Sequence, residues 1–205
     1  MIIINKIHIE KALDTIAAID TDVAKAISEI GYPEPRIRPD GFETFFSTIV
    51  SQQISTKAAD AIWGRIKNLM ININAETLLA LTDKDLRASG LSQRKLEYAQ
   101  GLAKAIVEGD FDPSALKMMD DEDAINAIIQ LRGFGRWSAE IYSMFSLQRE
   151  DIFPADDLIL LSSLQKLKQL PERPTPKKAR DLILHWSPWR SSGSLFLWHY
   201  HHHYK

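Results

Sequence analysis

Leu131–Asp157 reads LRGFGRWSAEIYSMFSLQREDIFPADD. Before it, Ala124, Ile125, Ile128 and Ile129 recur at helical spacing between Asp121 and Leu131. Within it, Trp137, Ile141, Tyr142 and Phe145 mark a second helix from Arg136 to Leu147. Between the two stands Arg132-Gly133-Phe134-Gly135. Two glycines around one apolar residue let a backbone turn sharply, take positive φ and approach a ligand with no Cβ in the way. The stretch therefore predicts two helices joined by a tight hairpin, with Phe134 plugged between them. It ends in a turn that delivers Asp156 and Asp157 to a leucine-rich helix reaching Leu170 and broken by Pro171.

The rest of the chain reads as helix too. Met1 to Ile9 is rich in isoleucine, suiting a short strand or an apolar lead-in. Ile9, Ala12, Leu13 and Ile16 then keep a helical stripe. Asp20 or Thr21 caps a second helix, which Gly31 stops. Residues 31–41 form a proline-punctuated connection. Phe42, Phe45, Phe46, Ile49 and Val50 make the clearest amphipathic stripe of the chain. The polar interruption Ser51-Gln52-Gln53-Ile54-Ser55 follows, and Ser55 can cap the next helix. Asn74, Ser92 and Thr175 (before Pro176) are further caps, while Gly90 and Gly109 are stops. Trp189–Tyr204 closes the chain with an exposed histidine-rich end. The fold class is all-α, about ten short helices with at most a trivial strand.

Composition narrows the chemistry. The 205 residues include no cysteine, which excludes disulfides, thiolate metal sites, iron–sulfur clusters and a cysteine nucleophile. The first ten residues are too short and too charged for a signal peptide, and no apolar run is long enough for a membrane span, so a cytoplasmic protein is expected. Net charge is −2, but unevenly spread. Glu108–Asp123 is acidic and Lys166–Arg190 mostly basic, so one basic face is compatible with a near-neutral total. Taken alone, both runs read first as solvated helix surface.

Gly135 opens a helix whose free N–H groups favour a phosphate, and Arg132 and Arg136 add positive charge beside it. An ordinary αα-turn using glycine for geometry remains the competing reading. Asp156 and Asp157 both suit the N-cap of the next helix. One cap suffices, which leaves one carboxylate spare. An anion near the positive end of a helix dipole is suited to face a developing cation, such as the oxocarbenium-like sugar formed when a glycosidic bond breaks. Trp137, Tyr142, Trp186, Trp189 and Trp198 lie in the C-terminal half, and aromatics stack on extruded bases. For Trp186 and Trp189 a core role is preferred.

Five segments in order resemble the helix-hairpin-helix DNA glycosylases: FFSTIVSQQISTKAADAIWGRI, GLSQRKLEYAQGLAKAI, LRGFGRWSAEIYSMF, FPADDL and HWSPWRSSGSLFLW. The alkylbase branch, of the 3-methyladenine DNA glycosylase II type, is most similar, over Phe42 to Tyr200. The resemblance implies two helical lobes with an active-site cleft between them, one of about residues 42–155 and one of about 1–41 plus 156–205. It implies that the turn Arg132, Gly133, Phe134, Gly135 and Arg136 grips the DNA backbone, with Na+ or K+ shared by its carbonyls and no other metal or cofactor. Asp157 falls at the catalytic aspartate. Trp137 and Trp198 match pocket aromatics, and Tyr142 is a third candidate. Gln53 falls where a wedge fills the gap left by the flipped base, with Ser55 as its neighbour in that contact.

The implied activity is monofunctional hydrolysis of alkylated purines (3-methyladenine, 7-methylguanine) from double-stranded DNA by a monomer, in the cytoplasm or nucleoid. Bifunctional relatives carry a lysine where this chain has Trp137. Arg132 stands where proline is usual, and Ile141 where some relatives have tyrosine. A neutral lesion such as hypoxanthine or uracil, and a non-catalytic DNA-binding module, are the alternatives.

Overall fold

A computed structural model describes residues 4–205. Among these residues every regular element is a helix, as the sequence predicts. The helices are α1 (Lys6–Ala17), α2 (Thr21–Ile30), α3 (Phe42–Ser51), α4 (Thr56–Leu69), α5 (Ala75–Ala80), α6 (Asp83–Ala88), α7 (Gln93–Val107), α8 (Asp121–Ile129), α9 (Arg136–Phe145), α10 (Leu158–Leu167), α11 (Pro176–Leu182) and α12 (Arg190–His203). Short 3-10 turns lie at Ala115–Met118 and Leu184–Trp186. The strand considered for the N-terminus is replaced from Lys6 onward by α1, capped by Asn5; its first three residues lie outside those described. No described helix is long and apolar enough to cross a membrane.

Two compact units emerge, residues 38–135 and residues 4–37 with 136–205. The expected lobe boundary near residue 155 thus falls between Gly135 and Arg136, and α9 belongs with the chain termini. The reason lies in α9 itself. Ala139, Tyr142, Met144 and Phe145 are all buried, so the helix is a core element of its unit rather than only the second arm of a hairpin.

In the 38–135 unit, α3, α4, α5, α6 and α7 enclose a core of Phe46, Val50, Ile66, Leu78, Leu86 and Leu96. Phe45 packs edge-on against both Phe111 and Phe134, with ring centroids 5.5 and 5.4 Å away. Phe134 therefore anchors the glycine turn to α3. Such edge-to-face pairs add to the area they bury.

The other unit is built on α12, which packs against α1, α2 and α10. A buried carboxylate organises it. Asp20 caps α2 through Val23 N and accepts from Trp186 Nε1 at 2.7 Å, His185 Nε2 at 3.0 Å and Lys168 Nζ at 2.5 Å. Burial pushes the Asp20 carboxyl up, but the hydrogen bonds from Lys168, Trp186 and His185 pull it net below the usual carboxylate range. Trp186 itself lies so close to α12 that a Cβ on Gly193 would come within 2.5 Å of its ring. Trp186 is core, as expected, whereas Trp189 is only half-buried at the edge of His8.

Removing one partner of a buried ion pair strands the other charge. Asp20→Ala is therefore expected to lower stability by about 3 kcal/mol in urea unfolding. Asp22→Ala, at the exposed second partner of Lys168, is expected to cost less than ~1 kcal/mol.

Candidate active site

Asp157 is reached through a turn that the rest of its unit holds tightly. Residues Ile152 to Ala155 are buried. Arg190, at the start of α12, grips Asp151 with Nε to Oδ1 at 2.6 Å and Nη2 to Oδ2 at 2.8 Å. Ser191 Oγ donates to Arg149 O and accepts from Ile152 N. Bidentate arginine–carboxylate pairs fix orientation as well as distance. Arg190 and Ser191 of α12 thus hold the turn that ends in the aspartates.

Both aspartates were candidates for the N-cap, and it is Asp157 that takes the position. Its Oδ1 accepts from Ile159 N at 2.9 Å and Leu160 N at 3.0 Å. The spare carboxylate is the exposed Asp156. Capping does not consume Asp157, however. Its Oδ2 accepts from Trp137 Nε1 at 3.1 Å, across the α9–α10 connection. Three N–H donors thus fix one half-exposed carboxylate in position. Around it, Trp137 (44%), Leu158 (61%) and Ile159 (39%) are exposed, so apolar surface borders the carboxylate.

The other two expected pocket aromatics differ from Trp137. Trp198 and Tyr142 are buried, and Trp198 lies against Phe145 with centroids 5.8 Å apart. The structure brings Trp137 and Asp157 together and gives Trp198 and Tyr142 a place in the packing of α9 and α12. His201, one turn beyond Trp198, was not singled out by the sequence reading. Burial, with Lys205, His202 and Lys166, lowers its pKa, while nearby Asp157 works the other way.

Glu140 was also missed. It lies in α9 with a 3% exposed side chain, 3.0 Å from Arg136 and 3.7 Å from Arg180. Its Oε2 is buried with no hydrogen-bond partner. Burial lifts its carboxyl to about 6 against the pull of both arginines, with Asp156 adding to the rise. The i, i+4 spacing of Arg136 and Glu140 was legible, but it looks like any surface helix pair.

In the other unit the two glycines of the turn differ. Gly133 has φ +98, and a Cβ there would sit 2.4 Å from the Tyr98 ring. Gly135 was expected to share the positive φ, but it lies outside the left-handed region and a Cβ there would meet nothing within 4 Å. Gly133 is thus a requirement of the fold, while no contact within the chain demands a glycine at 135. Arg132 is exposed, with its guanidinium 5.8 Å from the Tyr98 ring centroid. Gln53 is exposed at φ +56, beside the partly exposed Ile54. Ser55 caps α4 through Ala58 N and remains exposed.

The chain as a whole has relatives among known proteins. Residues 46–188 match the HhH-GPD superfamily of base excision DNA repair proteins, and the chain belongs to that superfamily. DNA-3-methyladenine glycosylase 1 of Schizosaccharomyces pombe is 29% identical over 92% of this chain and 86% of its own length. A crystal structure of a DNA-3-methyladenine glycosidase from Bacillus halodurans superposes with a TM-score of 0.84 at 31% identity, covering 91% of this chain and 87% of that one. A Schizosaccharomyces pombe 3-methyladenine DNA glycosylase in complex with abasic DNA gives 0.79 at 28% identity, covering 92% and 95%.

Gly133→Ala is expected to destabilise the fold by more than ~1 kcal/mol, because it adds left-handed strain to the clash with Tyr98. Gly135→Ala should unfold within about 0.5 kcal/mol of the parent, both measured by urea unfolding. For Glu140 the raised folded value sets the sign. Its stabilising contribution is complete below the unfolded value near 4.5 and is lost as pH rises through about 6. The stability of the parent relative to Glu140→Gln should therefore fall by about 1.5 kcal/mol between pH 4.5 and 7.5, measured by chemical denaturation.

Proposed function

We propose that this protein is a monofunctional, monomeric DNA glycosylase that hydrolyses the N-glycosidic bond of alkylated purines, 3-methyladenine and 7-methylguanine, in duplex DNA. The observation that carries this reading is the Trp137–Asp157 pair: an anchored anion beside an exposed indole.

The glycosidic bond of a methylated purine breaks readily because the base already bears positive charge. What the reaction needs is a fixed anion near the developing oxocarbenium sugar and a place for water to attack. Asp157 supplies the anion. Its orientation is set by Ile159 N, Leu160 N and Trp137 Nε1, so little reorganisation accompanies the reaction. Trp137 offers a π face to a cationic base. The assignment of Trp198 and Tyr142 to the same pocket rests on the family resemblance; both are buried in the packing of their helices.

A neutral lesion would call for an acid that protonates the leaving group. Glu140 is lifted towards that range, but its side chain is buried and held by Arg136 and Arg180. That favours a base able to leave as it stands. Trp137 also occupies the position where a lyase would carry its amine, which supports hydrolysis without strand cleavage.

The turn Arg132–Arg136 is assigned to the DNA backbone and Gln53, with Ser55 beside it, to the displaced base. Carbonyl oxygens of that turn are hard donors suited to Na+ or K+. That of Gly133 already accepts one hydrogen bond, from Gln52 Nε2, which leaves it a second lone pair for a cation.

Asp157→Asn keeps an N-cap residue, so folding should survive. The variant is expected to release methylated bases from dimethyl-sulfate-treated DNA at least ~100-fold more slowly than the parent while binding duplex DNA as well. Full activity of the variant would overturn the assignment. A parent that binds DNA but releases no base would favour a DNA-binding module.

A further inference from the structure

The exposed turn between α3 and α4 and the glycine turn after α8 are separated by eighty residues of chain, yet one side chain joins them. Gln52 Nε2 donates to the Gly133 carbonyl at 2.9 Å. Gln52 closes α3, with φ −55 and ψ 130, and Gln53 follows at φ +56. A left-handed glutamine is uncommon and needs surroundings that hold it. Three contacts do so here. Gln52 ties the turn to Gly133, Lys95 Nζ donates to Val50 O at 2.7 Å, and Phe134 packs on Phe45 of α3. At the far end of the link, Gly133 lies on the Tyr98 ring and cannot shift toward it.

We infer that Gln52 is a positioning residue that locks the wedge at Gln53 to the DNA-gripping turn through the Gly133 carbonyl. Phosphate capture and base displacement then share one register. The inference rests on the reading of the protein as a base-flipping glycosylase. Amide chemistry suits this link. The Gln52 side chain offers N–H donors to a carbonyl without bringing a charge, so the adjacent phosphate site keeps its balance. Its own carbonyl oxygen is left for other contacts. A hydrophobic residue of the same length would fill the space and leave the Gly133 carbonyl without that donor.

The test uses the full chain and three readouts. The first is affinity for undamaged duplex. The second is emission from 2-aminopurine placed beside a tetrahydrofuran abasic analogue, which reports unstacking as the wedge enters. The third is single-turnover release of 7-methylguanine. Gln52→Met should bind undamaged duplex within about twofold of the parent, since phosphate contacts supply that affinity. It should lose most of the emission rise and release base roughly ten- to a hundredfold more slowly.

Gln52→Glu discriminates positioning from packing. Its carboxylate opposes the Gly133 carbonyl when ionised and donates to it when protonated. The ratio of its excision rate to that of the parent should therefore rise at least about threefold from pH 8 to pH 5.5, while the Gln52→Met ratio stays flat. Arg94, Lys95, Glu97, Tyr98 and Lys104 of α7, Glu43 of α3, Lys57 and Asp60 in the first turns of α4, and Arg132 of the glycine turn are charged or titratable groups on the elements packed there. They are common to every variant and cancel in the ratio. Should Gln52→Met melt far below the parent, the Gln52→Glu ratio decides, and a flat ratio overturns the inference. A stable Gln52→Met that unstacks and excises like an active parent overturns it as well. A parent that releases no base overturns the underlying reading, and this inference with it.

Discussion

The Asp157 carboxylate closes the N-terminus of α10 with one oxygen and binds the Trp137 indole with the other. Each bond does a structural job, and together they leave the group with a single orientation. A capping aspartate is ordinarily a local device worth about 1 kcal/mol. Here the same carboxylate also ties α9 to α10, so the anion cannot rotate without breaking either the helix start or the link to Trp137. Arg190, Ser191 and Asp151 extend that constraint backward along the turn. The candidate chemistry therefore rests on a carboxylate placed by the fold rather than by a flexible loop.

Two buried acids show opposite uses of the same group. Asp20 is surrounded by donors and stays below the usual carboxylate range, so it stabilises its unit as an anion. Glu140 has two arginines on one oxygen and nothing on the other, and its carboxyl is lifted to about 6. Ionised Glu140 costs stability near neutral pH. That cost is tolerated in the helix that carries Arg136 and Trp137, where unfavourable local choices are expected if function constrains them. The left-handed Gln53 follows the same logic in the other unit.

Much of the fold was readable from short-range signals. Asp20, Ser55, Asn74, Ser92 and Thr175 all accept the hydrogen bonds their cap positions predict. These are local bargains between a side chain and an N–H a few residues away, and sequence spacing is enough to see them. The glycine turn was likewise legible, but only Gly133 carries the strain that was assigned to both glycines. The φ of Gly135 depends on how α9 starts, and no residue type announces that. The division at Gly135 was hidden for a similar reason. A stripe of apolar residues shows that α9 is buried but not which partner buries it.

The sequence by itself determined an all-helical chain, the place of its caps and turns, the glycine hairpin and the aspartate pair, because each follows from backbone geometry over a few residues. The five ordered segments added the family. Only the tertiary structure decided that Asp157 rather than Asp156 caps α10, that Trp137 donates to it, and that Glu140 is buried between arginines. It alone joined Gln52 to Gly133. Those facts depend on which side chains meet across long stretches of chain, and on how far burial strengthens or penalises each polar group, neither of which residue spacing encodes.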